Sequence, residues 1–173
     1  MQILAQLLGV AGMAIGIFSF QCRKNSLLFW GLGISGLLFS VHYFLLGAFT
    51  GALINVINVV RSIWLVTPRL KHWGFMAGMN LLYCAAILIT YNGWLSILIL
   101  LTQLAGTFAM WQNNGKTIRV VQFFVISPIW LMHNIIVFSV GGIICEIFNL
   151  CSILVSFIRF RKTGFEQSSR TVS

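Results

Sequence analysis

The chain contains no aspartate, and its acidic residues number only two, Glu146 and Glu166. A Ser–His–Asp hydrolase is excluded on that ground alone. No Gly-rich nucleotide-binding loop is present either, so ATP-driven chemistry falls away and the chain is not expected to be an enzyme. Charge of both signs is scarce: 8% of the 173 residues are charged and 59% are hydrophobic. That leaves too little polar material to clothe a soluble domain. The four cysteines, Cys22, Cys84, Cys145 and Cys151, show no CxxC or paired spacing and do not cluster with histidine. Free thiols are expected, with no metal and no cofactor. No Lys or Arg precedes the first apolar run, and no small-residue cleavage site follows it, so that run does not read as a signal peptide. Of the two prolines, Pro128 alone interrupts an apolar run.

What is present in quantity is apolar sequence. A spanning helix needs about 20 mostly apolar residues. Seven runs approach that length: residues 3–20, 26–46, 51–66, 73–91, 94–111, 118–138 and 141–158. The net charge of +9 comes from short loops and the tail, so nucleic acid is not an expected partner. Arg23 and Lys24 follow the first run, Arg69 and Lys71 the third, and Lys116 and Arg119 the fifth. Arg159, Arg161, Lys162 and Arg170 follow the seventh, and the alternate loops carry no Lys or Arg. The positive-inside rule then orients the chain with its N-terminus outside and its C-terminus in the cytoplasm. Six spans would put basic loops on both sides.

Displacing the sequence by 91 positions brings polar residues into coincidence without a gap. Gln21 meets Gln112, His42 meets His133, Asn55 meets Glu146, Asn58 meets Asn149, and Gly51 meets Gly142. Histidine is rare here, and polar residues in apolar helices are seldom idle. The expected architecture is all-α and membrane-integral: two parallel triple-helix repeats joined by a linker helix, 3+1+3. The first repeat is 1–67, the linker loop and fourth helix 68–92, the second repeat 93–160, and a polar cytoplasmic tail 161–173. Three spans invert topology and a fourth restores it, so both repeats point the same way.

Five stretches carry a family resemblance: "HYFLLG" at 42–47, "NVVR" at 58–61, "WLMHN" at 130–134, "GGIICE" at 141–146 and "IRF" at 158–160. Together they resemble the bacterial inner-membrane YgjV family, over most of the chain. That resemblance implies an inner-membrane location and supplies no established activity. More distantly, the layout is similar to the PQ-loop, or SWEET-like, superfamily of two triple-helix units. Its Pro-Gln pair survives only as Gln21 and Gln112, with Phe20 and Trp111 in place of proline. In the sugar transporters of that superfamily an Asn of each third helix contacts substrate, and Asn58 and Asn149 occupy the matching places.

Asn55, Asn58 and Ser62 share one helical face, as do Glu146 and Asn149. The asparagines either bind a polar solute near the midplane or act as hydrogen-bonding glue between helices. Glu146 is the one acid within a span. It either couples solute movement to protons, or is a permanent partner of Arg61, or is a permanently protonated, hydrogen-bonded acid. Arg61 either snorkels to the headgroups or reaches into the bundle toward Glu146 or an anionic substrate. His42 and His133 are structural donors, proton relays to Glu146, or ligands, a haem between them included. Trp130, matched by Phe39, stacks on a sugar ring or packs. Gln21, Gln112, Pro128 and Arg61 are the expected structural or gating positions. Gly12–Gly16, Gly47–Gly51 and Gly74–Gly78 have GxxxG spacing, suited to close packing within the bundle or between copies. The expected function is movement of a small polar solute, sugar-like or amino-acid-like, across the inner membrane. The rival is a non-transporting membrane partner or electron carrier.

Overall fold

The computed structural model describes residues 2–47, 49–67, 72–91, 93–136 and 140–166. Arg69, Lys71 and Arg170 of the charge pattern lie outside these residues, as does the expected end of the sixth span at 138. The helices are α1 (Gln2–Ser19), α2 (Asn25–Leu45), α3 (Phe49–Val66), α4 (Trp73–Ile89), α5 (Trp94–Trp111), α6 (Gly115–Val121), α7 (Ser127–Ile136) and α8 (Val140–Arg159). A π-helical turn, Gln122–Ile126, joins α6 and α7 into one rod. Among the described residues four stretches are long and apolar enough to cross a membrane: Asn25–Leu45, Phe49–Val66, Trp94–Trp111 and Gly115–Ile136. Ile3–Ser19 and Trp73–Ile89 are apolar but shorter. Large apolar side chains point outward along the helices, Leu88 and Ile89 at 76% and 81% exposure among them. Water would not tolerate that much exposed hydrocarbon, whereas lipid solvates it.

Local chemistry sets the helix ends. The Asn114 side chain accepts the amides of Lys116 (3.0 Å) and Thr117 (3.3 Å), an N-cap that starts α6 at Gly115. The expected start was 118, so the cap draws Arg119 one turn into the helix. Asn113 just before it has φ 54°, a left-handed conformation that Asn tolerates better than most residues. Farther along, Pro128 has no N–H to give the carbonyl four residues back. The preceding turn widens, and the Ser127 amide reaches the Gln122 carbonyl five residues away.

α2 packs along both α1 and α3, α4 bridges α3 to α5, and the α6–α7 rod lies against α5. α8 packs on α7 and returns to α1, and α3 also meets α5. Small residues set the α1–α2 spacing. Ser35 Oγ donates to the Gly12 carbonyl at 2.7 Å, which the lack of side chains at Gly12 and Gly16 permits. The Gly12–Gly16 spacing is therefore occupied inside the bundle by α2. By contrast, a Cβ on Gly78 would meet none of the described residues within 4 Å.

That difference predicts opposite substitutions. A Cβ on Gly31 would lie 2.6 Å from Ser19 Cβ, and no rotamer change moves a Cβ. Gly31→Ala must therefore push α1 from α2, at a cost of about 1–3 kcal/mol. Gly78→Ala is expected to be neutral or to stabilise by up to about 1 kcal/mol through helix propensity. Thermal unfolding of both variants in one detergent checks the pair. Equal effects would mean that the α1–α2 contact is not tight.

Candidate functional site

The seam between the first three helices and the last ones holds a cavity of about 100 Å³. α1 contributes Met13 and Gly16 to it, α2 Ser35 and Phe39, the π turn Gln122, and α8 Cys145 and Asn149. The polar part of this lining follows from local structure. Widening before Pro128 sets Gln122 at the cavity, and its Nε2 donates to Ser127 Oγ at 3.2 Å. Ser127, fully buried, and Asn149 are neighbours of the Glu146 carboxyl, and the Asn149 amide reaches Cys145 Sγ of its own helix at 3.9 Å. Glu146 Oε2 is shielded from solvent and makes no hydrogen bond to the described residues. A polar chain thus runs from Gln122 through Ser127 to Glu146 and Asn149, beside the cavity.

The other expected site residues divide around this seam. Asn149 lines the cavity; Asn58 does not. Instead Asn58 Oδ1 accepts the Tyr83 hydroxyl of α4 at 2.6 Å. Asn55 Nδ2 donates to the Gly51 carbonyl of its own helix at 2.8 Å. The two asparagine faces therefore do not converge on one cavity, because α4 claims that of α3. Phe39 lines the cavity, while its match Trp130 packs against the apolar core and meets His133 edge-on, ring centres 5.6 Å apart. His42 Nδ1 donates to the Ala5 carbonyl at 2.6 Å; a carbonyl can only accept, so this nitrogen carries the proton. Gly9 makes room for that ring, since a Cβ there would sit 2.9 Å from it. His133 Nδ1 is buried without a hydrogen-bond partner among the described residues.

Gln21 Nε2 donates to the Ser152 carbonyl (2.6 Å) and hydroxyl (2.9 Å), and Ser152 Oγ donates to the Ile17 carbonyl at 2.8 Å. It thus stitches the end of α1 to α8. Gln112 closes α5 through its backbone amide, bonded to the Phe108 carbonyl at 3.1 Å. Pro128 itself is exposed and acts through the π turn.

Arg61 does not snorkel. It is 8% exposed, its Nη1 donates to Thr107 Oγ1 of α5 at 3.1 Å, and its guanidinium lies 5.7 Å from the Tyr83 ring centre. α4 and α5 cover the route outward, so the side chain is held within the bundle.

Arg119, expected as a loop cation, is fully buried. Its Nη2 donates to the Phe20 and Cys22 carbonyls at 2.7 Å each, its Nη1 to Gly115 at 3.0 Å, and its Nε to Ser156 Oγ at 3.1 Å. The Phe165 ring centre stands 4.5 Å from the guanidinium carbon. The start of the polar tail folds back over this cluster. Glu166 accepts the Asn25 amide on its carboxylate and the Gly115 amide on its carbonyl, and Arg23 donates to Thr163 and Gly164 carbonyls. The Asn114 cap was the readable signal for Arg119; nothing in the sequence pairs residue 166 with residue 25.

Comparison with known proteins agrees with this membrane architecture. The inner membrane protein YgjV of Escherichia coli (strain K12) is 28% identical over 167 residues, covering 94% of this chain and 89% of that protein. No solved structure matches. A family model described as bacterial inner membrane protein, Imp-YgjV, matches residues 3–164, from the first helix to the folded start of the tail. Because that match spans nearly the whole chain, the protein belongs to the Imp-YgjV family of bacterial inner membrane proteins.

Proposed function

We propose that this protein moves a small polar solute across the inner membrane through the seam between α1–α2 and α8, with Glu146 coupling the movement to protons. The observation that carries this reading is the cavity itself, where Ser35, Gln122 and Asn149 stand among Met13, Phe20, Leu32 and Phe39, with Glu146 next in sequence to the lining residue Cys145. Amide and hydroxyl groups offer both donors and acceptors, which suits a hydroxylated or zwitterionic solute. At about 100 Å³ the cavity holds roughly three waters' worth of volume, since each water occupies ~30 Å³ in the liquid. Pockets for drug-sized ligands are ~300–1,000 Å³. A sugar-sized solute therefore requires the seam to open, and the π turn is the natural place for movement, because it interrupts the regular helical ladder. This reading retains the two-unit, SWEET-like organisation as its working scheme. It places the solute contacts at Asn149 and Gln122, with Asn58 in a separate cluster.

Proteoliposomes test it directly. Efflux of a panel of labelled polyols, sugars and amino acids is compared with that from protein-free liposomes. At least one solute is expected to leave several-fold faster with the protein. Asn149→Leu, which fills the cavity, is expected to remove that excess, while Asn58→Leu leaves more of it. Rates equal to the protein-free control for every solute would sink the proposal.

A further inference from the structure

Among the described residues two arginines are buried, and they are satisfied very differently. Arg119 has donors on Nε, Nη1 and Nη2 all engaged. Arg61 has one hydrogen bond, from Nη1 to Thr107. Its Nε is shielded from solvent and has no partner among the described residues, and Nη2 donates to none of them. Among the described residues no carboxylate stands against it: Glu146 lies beside Ser127 and Asn149, and Glu166 caps α2. An unbalanced cation inside a bundle is costly, because it has lost its water without gaining a counter-charge.

The surroundings of Arg61 are rich in donors. Asn58, one turn back on the same face of α3, has its oxygen occupied by Tyr83, so its amide N–H groups are what remains to offer. Thr107 holds Nη1 and thereby fixes the plane of the guanidinium. That leaves the Nε–Nη2 edge, which presents two parallel N–H groups at the spacing of two oxygens on a carboxylate or phosphate. Arg61 is five residues from the end of α3 at Val66, about 7.5 Å in at 1.5 Å per residue. Thr107 is four residues from the end of α5.

We propose that Arg61, with Asn58, Tyr83 and Thr107, forms a binding site for an oxoanion, a phosphate or carboxylate group gripped by the Nε–Nη2 edge. The site is separate from the seam cavity and does not depend on its role in transport. Two sources supply that chemistry, the phosphodiester of an anionic phospholipid and a soluble anion, and the test separates them. The full chain is purified in a neutral detergent. One arm adds phosphatidylglycerol, with phosphatidylcholine as control; the other adds phosphate or acetate, with chloride at equal ionic strength as control. Binding to the folded state raises the midpoint of thermal unfolding by mass action. One arm is expected to raise it by several degrees in the parent, by less in Arg61→Lys, and not at all in Arg61→Gln. Lysine keeps the charge but loses the fork, so the graded loss is a readout that packing alone would not produce. Native mass spectrometry reads any lipid that stays bound through purification, as an adduct on the parent absent from Arg61→Gln. If Arg61→Gln does not fold, Asn58→Ala takes its place and is expected to halve the shift or more. A shift equal in parent and variant overturns the proposal, as does a parent with neither a shift in either arm nor an adduct.

Discussion

Arg119→Leu is expected to lose on the order of 3 kcal/mol or more of stability, because several buried acceptors lose their donor together and each orphaned one costs ~1–3 kcal/mol. The acceptors are the carbonyls of Phe20, Cys22 and Gly115 and the hydroxyl of Ser156. Two of these carbonyls lie just past the end of α1, where a helix leaves its acceptors unpaired and its dipole favours a cation. Relief of the guanidinium's own desolvation offsets part of the loss. Packing is lost as well, since Phe165 rests on the guanidinium and brings the tail with it. Arg119→Lys should fall between leucine and the parent, because an ammonium keeps the charge but cannot reach acceptors on α1, α6 and α8 at once. Arg161→Leu, on an exposed residue a short way beyond α8, is the control and should cost almost nothing. Thermal unfolding in detergent measures all three. Should Arg119→Leu unfold within about a degree of Arg161→Leu, the clamp contributes no stability.

The second large effect concerns the proposed transport. Glu146→Gln is expected to abolish gradient-driven accumulation while leaving folding and solute exchange close to the parent's. Glutamine preserves shape and can still accept from Ser127 and Asn149, the groups that surround the carboxyl. What it cannot do is gain and lose a proton. In a coupled cycle the carboxyl is protonated on one face and deprotonated on the other, so removing the titration uncouples the solute from the proton gradient without closing its path. Glu146→Ala should also reduce stability, because it leaves a void beside Ser127, which is fully buried. Uptake into proteoliposomes with and without an imposed pH gradient separates the two modes, using a solute identified by the efflux panel. A glutamine variant that accumulates solute as well as the parent would make Glu146 a structural acid.

Local sequence was a good guide where a single segment decides the outcome. Leu, Ile, Val and Phe at this density can only be solvated by lipid, so membrane residence and the approximate bounds of the helices followed from composition and run length. Pro128 marked a disturbed helix for a reason internal to the residue, its missing N–H. The α3 and α8 polar faces were equally legible, since 3.6-residue periodicity determines which side chains share a stripe.

Which neighbour each stripe meets was a different matter. Asn58 and Asn149 stand at matching places in the sequence, yet Tyr83 of α4 takes Asn58 and the seam cavity takes Asn149. Arg61 had a snorkelling route on paper, and Thr107 of α5 closed it. Arg119 counted as a loop charge, and only the meeting of three helix ends made it a buried clamp. The sequence alone determined the solvent of this protein, its helices and the polar positions within them, because those depend on hydration and on backbone geometry within one segment. The tertiary structure decided which polar groups are paired and which remain open. A hydrogen bond needs two partners within about 3 Å, and here they are often contributed by residues many tens of positions apart in the chain.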